Sequence, residues 1–334
     1  MTAADREQIA PARPSRLPAL VAGTRAFARR HRATITVAGS VLTAAALAVG
    51  LAGRRDEFSA SLSSAALSVL ALTTLLQVVA LLARTEAWHL SIEAAGGSVA
   101  RRFLYRASSM QVLGSVINGQ LGVAARIAAL RRSSPTVSPQ VPTLIAAEFP
   151  ILAVEATLAA LTSFTLVGPL GLPWWMPIIA LVVVGTASAG LRHLAAREGR
   201  KLWHGLAVLR SLSGGGRVIA LVLVAVVAQI LRNWMLLHAV GVSASLFDAI
   251  AVLIAVVTLG QLPLGPGAGA AAAVLILGSH GAAAAAAAGV LMTATGTVGG
   301  LCFAAWAGGD QLWARLRRVR THRRNGGASG PQTG

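Results

Sequence analysis

Residues Ala249 to Gly278 read A-I-A-V-L-I-A-V-V-T-L-G-Q-L-P-L-G-P-G-A-G-A-A-A-A-V-L-I-L-G. The stretch is apolar from end to end, yet Pro263, Pro266 and the glycines Gly260, Gly265, Gly267 and Gly269 interrupt it. Proline removes a helix hydrogen bond and clashes with the preceding turn, so neither a continuous helix nor a strand survives there. In hydrocarbon, broken backbone is tolerated only where protein or a water-filled cavity covers it. The pattern therefore predicts a re-entrant hairpin of two half-helices meeting at a Gly/Pro tip. An earlier stretch echoes it, since Gly119-Gln120-Leu121-Gly122 stands beside Gly260-Gln261-Leu262. Paired interrupted segments in two halves of a chain point to the binding site of a transporter.

The composition agrees with a membrane setting. Of 334 residues, 55% are hydrophobic and 12% charged, against about 25% charged in a soluble domain. Mean hydropathy is +0.69. The length suits one all-α polytopic domain. Net charge is +18, but the charges stand in blocks between apolar runs, which reads as orientation signals and anionic-lipid contacts rather than nucleic-acid binding. A single cysteine, Cys302, excludes an intrachain disulfide framework and any multi-cysteine metal site. No cofactor or metal is expected, and no block of soluble sequence is large enough for an appended catalytic domain.

Taken in order, residues 1–32 carry seven arginines and read as a disordered basic arm. Spans are expected at about 33–53 and 59–83, joined by a short connection from Arg54 to Phe58. The first could pass for a signal peptide but is longer than the usual apolar region of one, so it reads as a retained anchor. After Arg84 and Trp88 come Gly96-Gly97 and the basic residues Arg101, Arg102 and Arg106. Residues 107–125 form the first interrupted segment. Spans at 143–168 and 172–190 follow, with Trp174 and Trp175 placed at the headgroup level. A basic loop at 191–217, a span at 218–240, the broken segment 249–278 and a span at 282–306 complete the membrane part. The tail from 307 to 334 is basic.

Loop charge orients this series. If both interrupted segments return to their own side, six full spans remain. Every Lys and Arg then falls in the cytoplasm except Arg54, Arg55 and Arg232, as the positive-inside rule demands. Both termini are cytoplasmic in this arrangement. Its two halves, 33–168 and 172–306, repeat the same series in inverted orientation. Arg84…Trp88-His89-Leu90…Gly96-Gly97-Ser98 parallels Arg232-Asn233-Trp234-Met235…Gly241-Val242-Ser243, each leading to a G-Q-L tip. The plainer reading is that these small residues only allow helices to pack closely.

Ionisable groups at membrane depth are functional candidates. Glu148 and Glu155 lie seven residues apart, about two turns along one helix face, with Pro150 between them as a predicted kink. Arg126 follows the first tip, and Arg232 lies deep in its span with Gln229 and Asn233 near it. These groups suit a polar groove in which arginines hold a phosphate and carboxylates supply counter-charge. They equally suit internal Glu–Arg pairs that lock helices together. The candidate binding set is Arg126, Glu148, Glu155 and Arg232 with the tip residues Gly119, Gln120, Gly122, Gly260, Gln261, Pro263, Gly265 and Gly267. Trp88, Trp174, Trp175 and Trp306 read as an interfacial aromatic belt, and His89, His238 and His280 as interfacial histidines. Ser245 and Asp248 read as a capping box, and the alanines between Gly281 and Gly289 as a packing face.

Four segments carry a family resemblance: R-T-E-A-W-H-L with A-A-G-G, N-G-Q-L-G-V-A-A-R-I-A-A-L, A-A-E-F-P-I-L-A-V-E, and L-P-L-G-P-G-A-G with G-S-H-G after it. Through them the chain resembles, over about residues 35–306, the membrane region of lysylphosphatidylglycerol synthetases and its stand-alone flippase-like relatives. The resemblance implies two inverted repeats with re-entrant helices in a bacterial inner membrane. It also implies movement of a lipid headgroup, aminoacylated phosphatidylglycerol or a polyprenol-linked sugar, between leaflets. The synthetase's aminoacyl-transfer domain has no counterpart here, so synthesis of the lipid is not implied and no enzyme is expected. The chain departs from the family pattern where Val123-Ala124 stand for an acidic position, where Ala270 to Ala273 follow Gly269, and where Glu148-Phe149 replaces a Glu-Arg pair.

Two other classes compete. A non-transporting membrane scaffold that kept the fold and lost the site would explain the missing acids. A polyprenol-phosphate-dependent glycosyltransferase would need external carboxylates, and only Asp56 and Glu57 offer themselves, in a loop too short to build a site. The expected partners are an anionic phospholipid or lipid-linked substrate within the membrane, with a second copy of the chain, in a homo-oligomer, as a further candidate.

Overall fold

The computed structural model describes residues 32–115, 119–133, 139–198, 212–262, 267–278 and 281–326. The described residues form helices and no strand. In chain order these are α1 (Arg32–Gly50), α2 (Arg55–Ser63), α3 (Leu67–Ala94), α4 (Arg101–Ser115), α5 (Gly119–Ser133), α6 (Val141–Ala146) and α7 (Phe149–Thr162). A 3-10 turn (Ser163–Leu166) leads to α8 (Val167–Leu170), α9 (Met176–Glu198), α10 (Leu212–Ala239), α11 (Leu246–Leu259), α12 (Ala268–Leu277) and α13 (Ala282–Gly326). Four stretches are long and apolar enough to cross a membrane: Leu67–Ala94, Val141–Leu170, Gly214–Ala239 and Ala282–Gly309. This marks a membrane-embedded helical protein. The first and fourth expected spans stand as shorter described apolar helices, Ala38–Gly50 and Met176–Gly190.

The second span starts at Leu67 rather than at 59. Ser63 and Ser64 donate their hydroxyls back to the Ala60 and Ser61 carbonyls, a local bonding pattern that competes with helix. Ser64 also donates to the Ala239 carbonyl at 2.8 Å, tying the break to the end of α10. Ala66 then adopts extended backbone, and α3 runs on for 28 residues. That is about 42 Å of helix, longer than a hydrocarbon layer of about 30 Å. The Arg84–Ala94 stretch is therefore its last turns, not a loop at the interface.

Both α3 and α10 end in the same way. Gly96 (φ 82°) and Gly241 (φ 85°) take the left-handed conformation that glycine adopts without steric cost. The amides of Gly97 and Val242 bond to the carbonyls of Ile92 and Leu237, and those of Gly96 and Gly241 to Glu93 and His238. These are two Schellman caps with one bonding pattern.

The interior divides into two cores, one around each interrupted segment. The first gathers Ala87, Trp88 and Ile92 of α3 with Leu104, Leu130, Leu144, Ile151, Val218 and Val222. The second gathers Leu236, Leu237, Ala251, Val252, Ala272, Ile276, Ala287 and Met292 with their neighbours. Between them Ala80 and Ala83 of α3 meet Ala225 and Ala228 of α10, a seam of small side chains that lets two helices approach closely.

Each interrupted segment is a pair of short helices packed on each other, α4 with α5 and α11 with α12. Arms of 10 to 15 residues reach about 15 to 22 Å, too short to cross the membrane alone. In the first pair a Cβ on Gly122 would lie 2.7 Å from the Gln111 carbonyl oxygen, and one on Gly114 2.9 Å from the Gly122 Cα, so the arms touch backbone to backbone. The expected segment 107–125 covers only part of this pair, because the basic flanks Arg101–Arg106 and Arg126–Ser133 continue the helices outward. The second pair opens with the expected capping box between Ser245 and Asp248.

Helix α13 binds the assembly together, packing on α12, α4, α3, α2 and α10. Its alanines Ala283, Ala285, Ala286, Ala287 and Ala288 are buried, as the packing reading of that run expects. A Cβ on Gly289 would overlap the Ala270 backbone of α12. The helix continues unbroken to Gly326, so most of the basic tail is helical.

Candidate functional site

The centre of the first half is Arg126, midway along α5 and only 1% exposed. Gly122 lies one turn before it on the same face, and that close approach turns Arg126 inward. Its Nη2 donates to the Glu148 carboxylate, and its guanidinium carbon lies 3.8 Å from the centroid of the Trp88 ring. The sequence places Glu148 there through Pro150. Proline fits the first turn of a helix and not its interior, so the expected span at 143–168 lapses between α6 and α7. Glu148 occupies the cap position of α7 at that lapse. A kink is expected there; the helix lapses for two residues, Ala147 and Glu148, whose backbone stays in the right-handed helical region.

The second carboxylate, Glu155, pairs with Arg84 of α3 at 2.9 Å, a partner missing from the candidate set. Arg84 and Glu155 both lie within electrostatic range of Arg126, so two arginines and two glutamates form one charge-balanced cluster. Among the described residues, four buried polar atoms of this half have no hydrogen-bond partner: Arg126 Nε, Trp88 Nε1, His89 Nδ1 and Ser108 Oγ. Unpartnered buried groups are rare in folded proteins.

Trp88 and His89 correct the sequence reading. Both were placed at the membrane interface, yet Trp88 is fully buried, and His89 is buried with its Nε2 3.3 Å from the Val99 carbonyl oxygen. The overlong α3 carries them into the core. Trp174, Trp175 and Trp306 are exposed. Below the cluster, the Tyr105 hydroxyl donates to Glu86, and burial, then the Glu86 contact, pushes its phenol up to about 12.

Arg232 sits in a different environment. It is buried in α10 and meets no carboxylate among the described residues. Nη1 donates to Gln77 Oε1 at 2.8 Å and to Gln229 Oε1 at 2.9 Å. Nη2 donates to the Met292 carbonyl, and Nε and Nη2 both reach Thr295 Oγ1 at 3.4 Å. A Cβ at Gly296 would come within 3.1 Å of Nη2, so that glycine leaves the guanidinium its space. Gln77 and Thr295 were absent from the candidate set. Gln77 had a signal, since Gln77, Arg84 and Trp88 share one face of α3 at helical spacing. Trp88 and Gln77 are eleven residues apart, about 16 Å along the axis. The two arginine centres are thus separate, at two heights on one helix.

The tip residues are described in part. Gly119 opens α5, while the Gln120 side chain, Pro263 and Gly265 lie outside the described residues. Gly260 closes α11, with Gln261 exposed just beyond it. Gly267 precedes α12, and a Cβ there would lie 2.8 Å from Thr43 Cγ2 of α1. Among the described residues no three His, Cys, Asp or Glu side chains are grouped to hold a metal ion.

No family model, curated protein or solved structure matches the chain.

Proposed function

We propose that the chain is a flippase-like integral membrane protein that binds a lipid-linked headgroup and moves it between leaflets of a bacterial inner membrane. The observation that carries this reading is the Arg126 centre: a buried guanidinium beside the lapse between α6 and α7, with one carboxylate, one ring face and an Nε that has no partner among the described residues. A guanidinium with free donors is suited to a phosphodiester, and Glu148 supplies the counter-charge when no headgroup is bound. The six-span topology, cytoplasmic termini and inverted repeat belong to the same proposal. They draw support from the two matched Schellman caps, the two cores joined at the alanine seam and the two short-armed hairpins. The motif resemblance supplies the substrate classes, aminoacylated phosphatidylglycerol or a polyprenol-phosphate-linked sugar.

Leaflet exchange in proteoliposomes tests the proposal. Purified protein is reconstituted with fluorescent phosphatidylglycerol, its aminoacylated form, or a polyprenol-phosphate sugar, and the outer leaflet is quenched chemically. Exchange of at least one lipid above protein-free vesicles is expected, slower in Arg126→Lys, which keeps the charge and loses the fork. No exchange of any of the three by well-folded protein replaces the transporter with the scaffold reading. Sugar transfer in place of exchange would favour the glycosyltransferase.

A further inference from the structure

We infer that the last part of α13, residues 310–324, is a hinged amphipathic arm that lies on the anionic cytoplasmic leaflet. The described contacts of α13 run as far as Ala307. Tyr105 of α4 packs edge-on against Phe303 and Trp306, with ring centroids at 6.1 and 5.2 Å. The next residue of α4, Arg106, donates its Nε to the Ala307 carbonyl at 3.2 Å. These contacts fix the helix to the body up to that residue.

Next come Gly308 and Gly309, where a Cβ would meet nothing within 4 Å. No packing demands glycine there, and adjacent glycines weaken a helix at the point where kinks occur. The Ala307 carbonyl is one of those that a bend would deprive of its helical partner, and Arg106 already supplies it with another donor.

Beyond the glycines the helix reads D-Q-L-W-A-R-L-R-R-V-R-T-H-R-R. Leu312, Leu316 and Val319 recur at i, i+4 and i+7, one narrow stripe of a helix, and Trp313 stands beside it. Of the six arginines, Arg315, Arg317, Arg318 and Arg324 fall at positions off that stripe, Arg320 falls between Leu316 and Trp313, and Arg323 ends the stripe one turn after Val319. A short apolar stripe flanked by cations is the pattern of an interfacial helix on anionic lipid. Charge complementarity selects the lipid surface over an acidic soluble partner, because the arm starts at Asp310, one helical turn after Trp306, itself 63% exposed at the end of the span. The tether makes docking on the leaflet intramolecular, with the high effective concentration that follows. A straight continuation would instead carry 17 residues, Asp310 to Gly326, about 25 Å into water.

The test uses the whole protein with Cys302→Ser and a spin label at Val319→Cys, in nanodiscs of phosphatidylcholine alone or mixed with phosphatidylglycerol. In mixed discs the label should gain access to oxygen and lose access to a water-soluble nickel chelate by several-fold. High salt should reverse this. Replacing Arg315, Arg317, Arg318 and Arg320 with Gln should abolish it, and Gly308→Ala with Gly309→Ala, which stiffens the joint without a clash, should weaken it. Equal shielding in both disc types would overturn the proposal in favour of docking on the protein or on lipid of any charge. A label that stays in water in both would overturn it in favour of a free rod, and loss of shielding on adding RNA to mixed discs would favour a nucleic-acid partner. None of these readouts depends on lipid transport.

Discussion

The two buried arginines solve one problem in opposite ways. Arg126 meets a carboxylate and an aromatic face, and its Nε has no partner among the described residues. Arg232 meets no acid among the described residues, yet each of its three nitrogens finds a neutral oxygen on Gln77, Gln229, Thr295 or Met292. A charge saturated by its own protein is a structural element. A charge neutralised by one carboxylate, with donors still unused, can exchange that partner for a ligand. Under the proposed function the exchangeable charge is Arg126, on the first hairpin, and the fixed one is Arg232, on α10.

The largest expected effect breaks the Arg126 side. Glu148→Ala leaves a buried guanidinium without its counter-charge, which destabilises by about 3–5 kcal/mol. Detergent-phase melting should show a large drop, and adding Arg126→Met should recover most of it. If the single variant melts like the parent, Arg126 is already neutralised by another group and the contrast between the two centres collapses.

A smaller loss is expected on the Arg232 side. Gln77→Leu removes one neutral acceptor of several, worth about 1–3 kcal/mol for a buried hydrogen bond left unmade. Its effect on melting should be smaller than that of Glu148→Ala, and lipid exchange by the folded variant should be unchanged. Exchange that falls while melting holds would move Arg232 into the binding machinery.

The smallest effect belongs to Glu155→Gln. The Arg84–Glu155 pair is partly open, at 39% and 25% side-chain exposure, so its loss costs about 0.2–1 kcal/mol. Added salt should shrink even that, whereas the buried Arg126–Glu148 pair should resist salt. Equal salt sensitivity of the two pairs would mean that water reaches both.

Much of this was legible in the chain itself. Apolar runs and Gly/Pro interruptions determined the helices, the four long apolar stretches and the two pairs of short helices, because backbone hydrogen bonding in lipid allows little else. Pro150 announced a kink, and Ser245 with Asp248 announced a helix start, since both act through their immediate neighbours. Partner choice was not legible. Arg84 lies 71 residues from Glu155 and Gln77 155 from Arg232, and no local rule connects such positions. Trp88 was misplaced because a tryptophan near a charge reads the same at an interface as under a guanidinium. Only packing decided between them: α3 outlasts the membrane, the Gly114–Gly122 contact turns Arg126 inward, and burial then selects whichever polar or aromatic group is within reach.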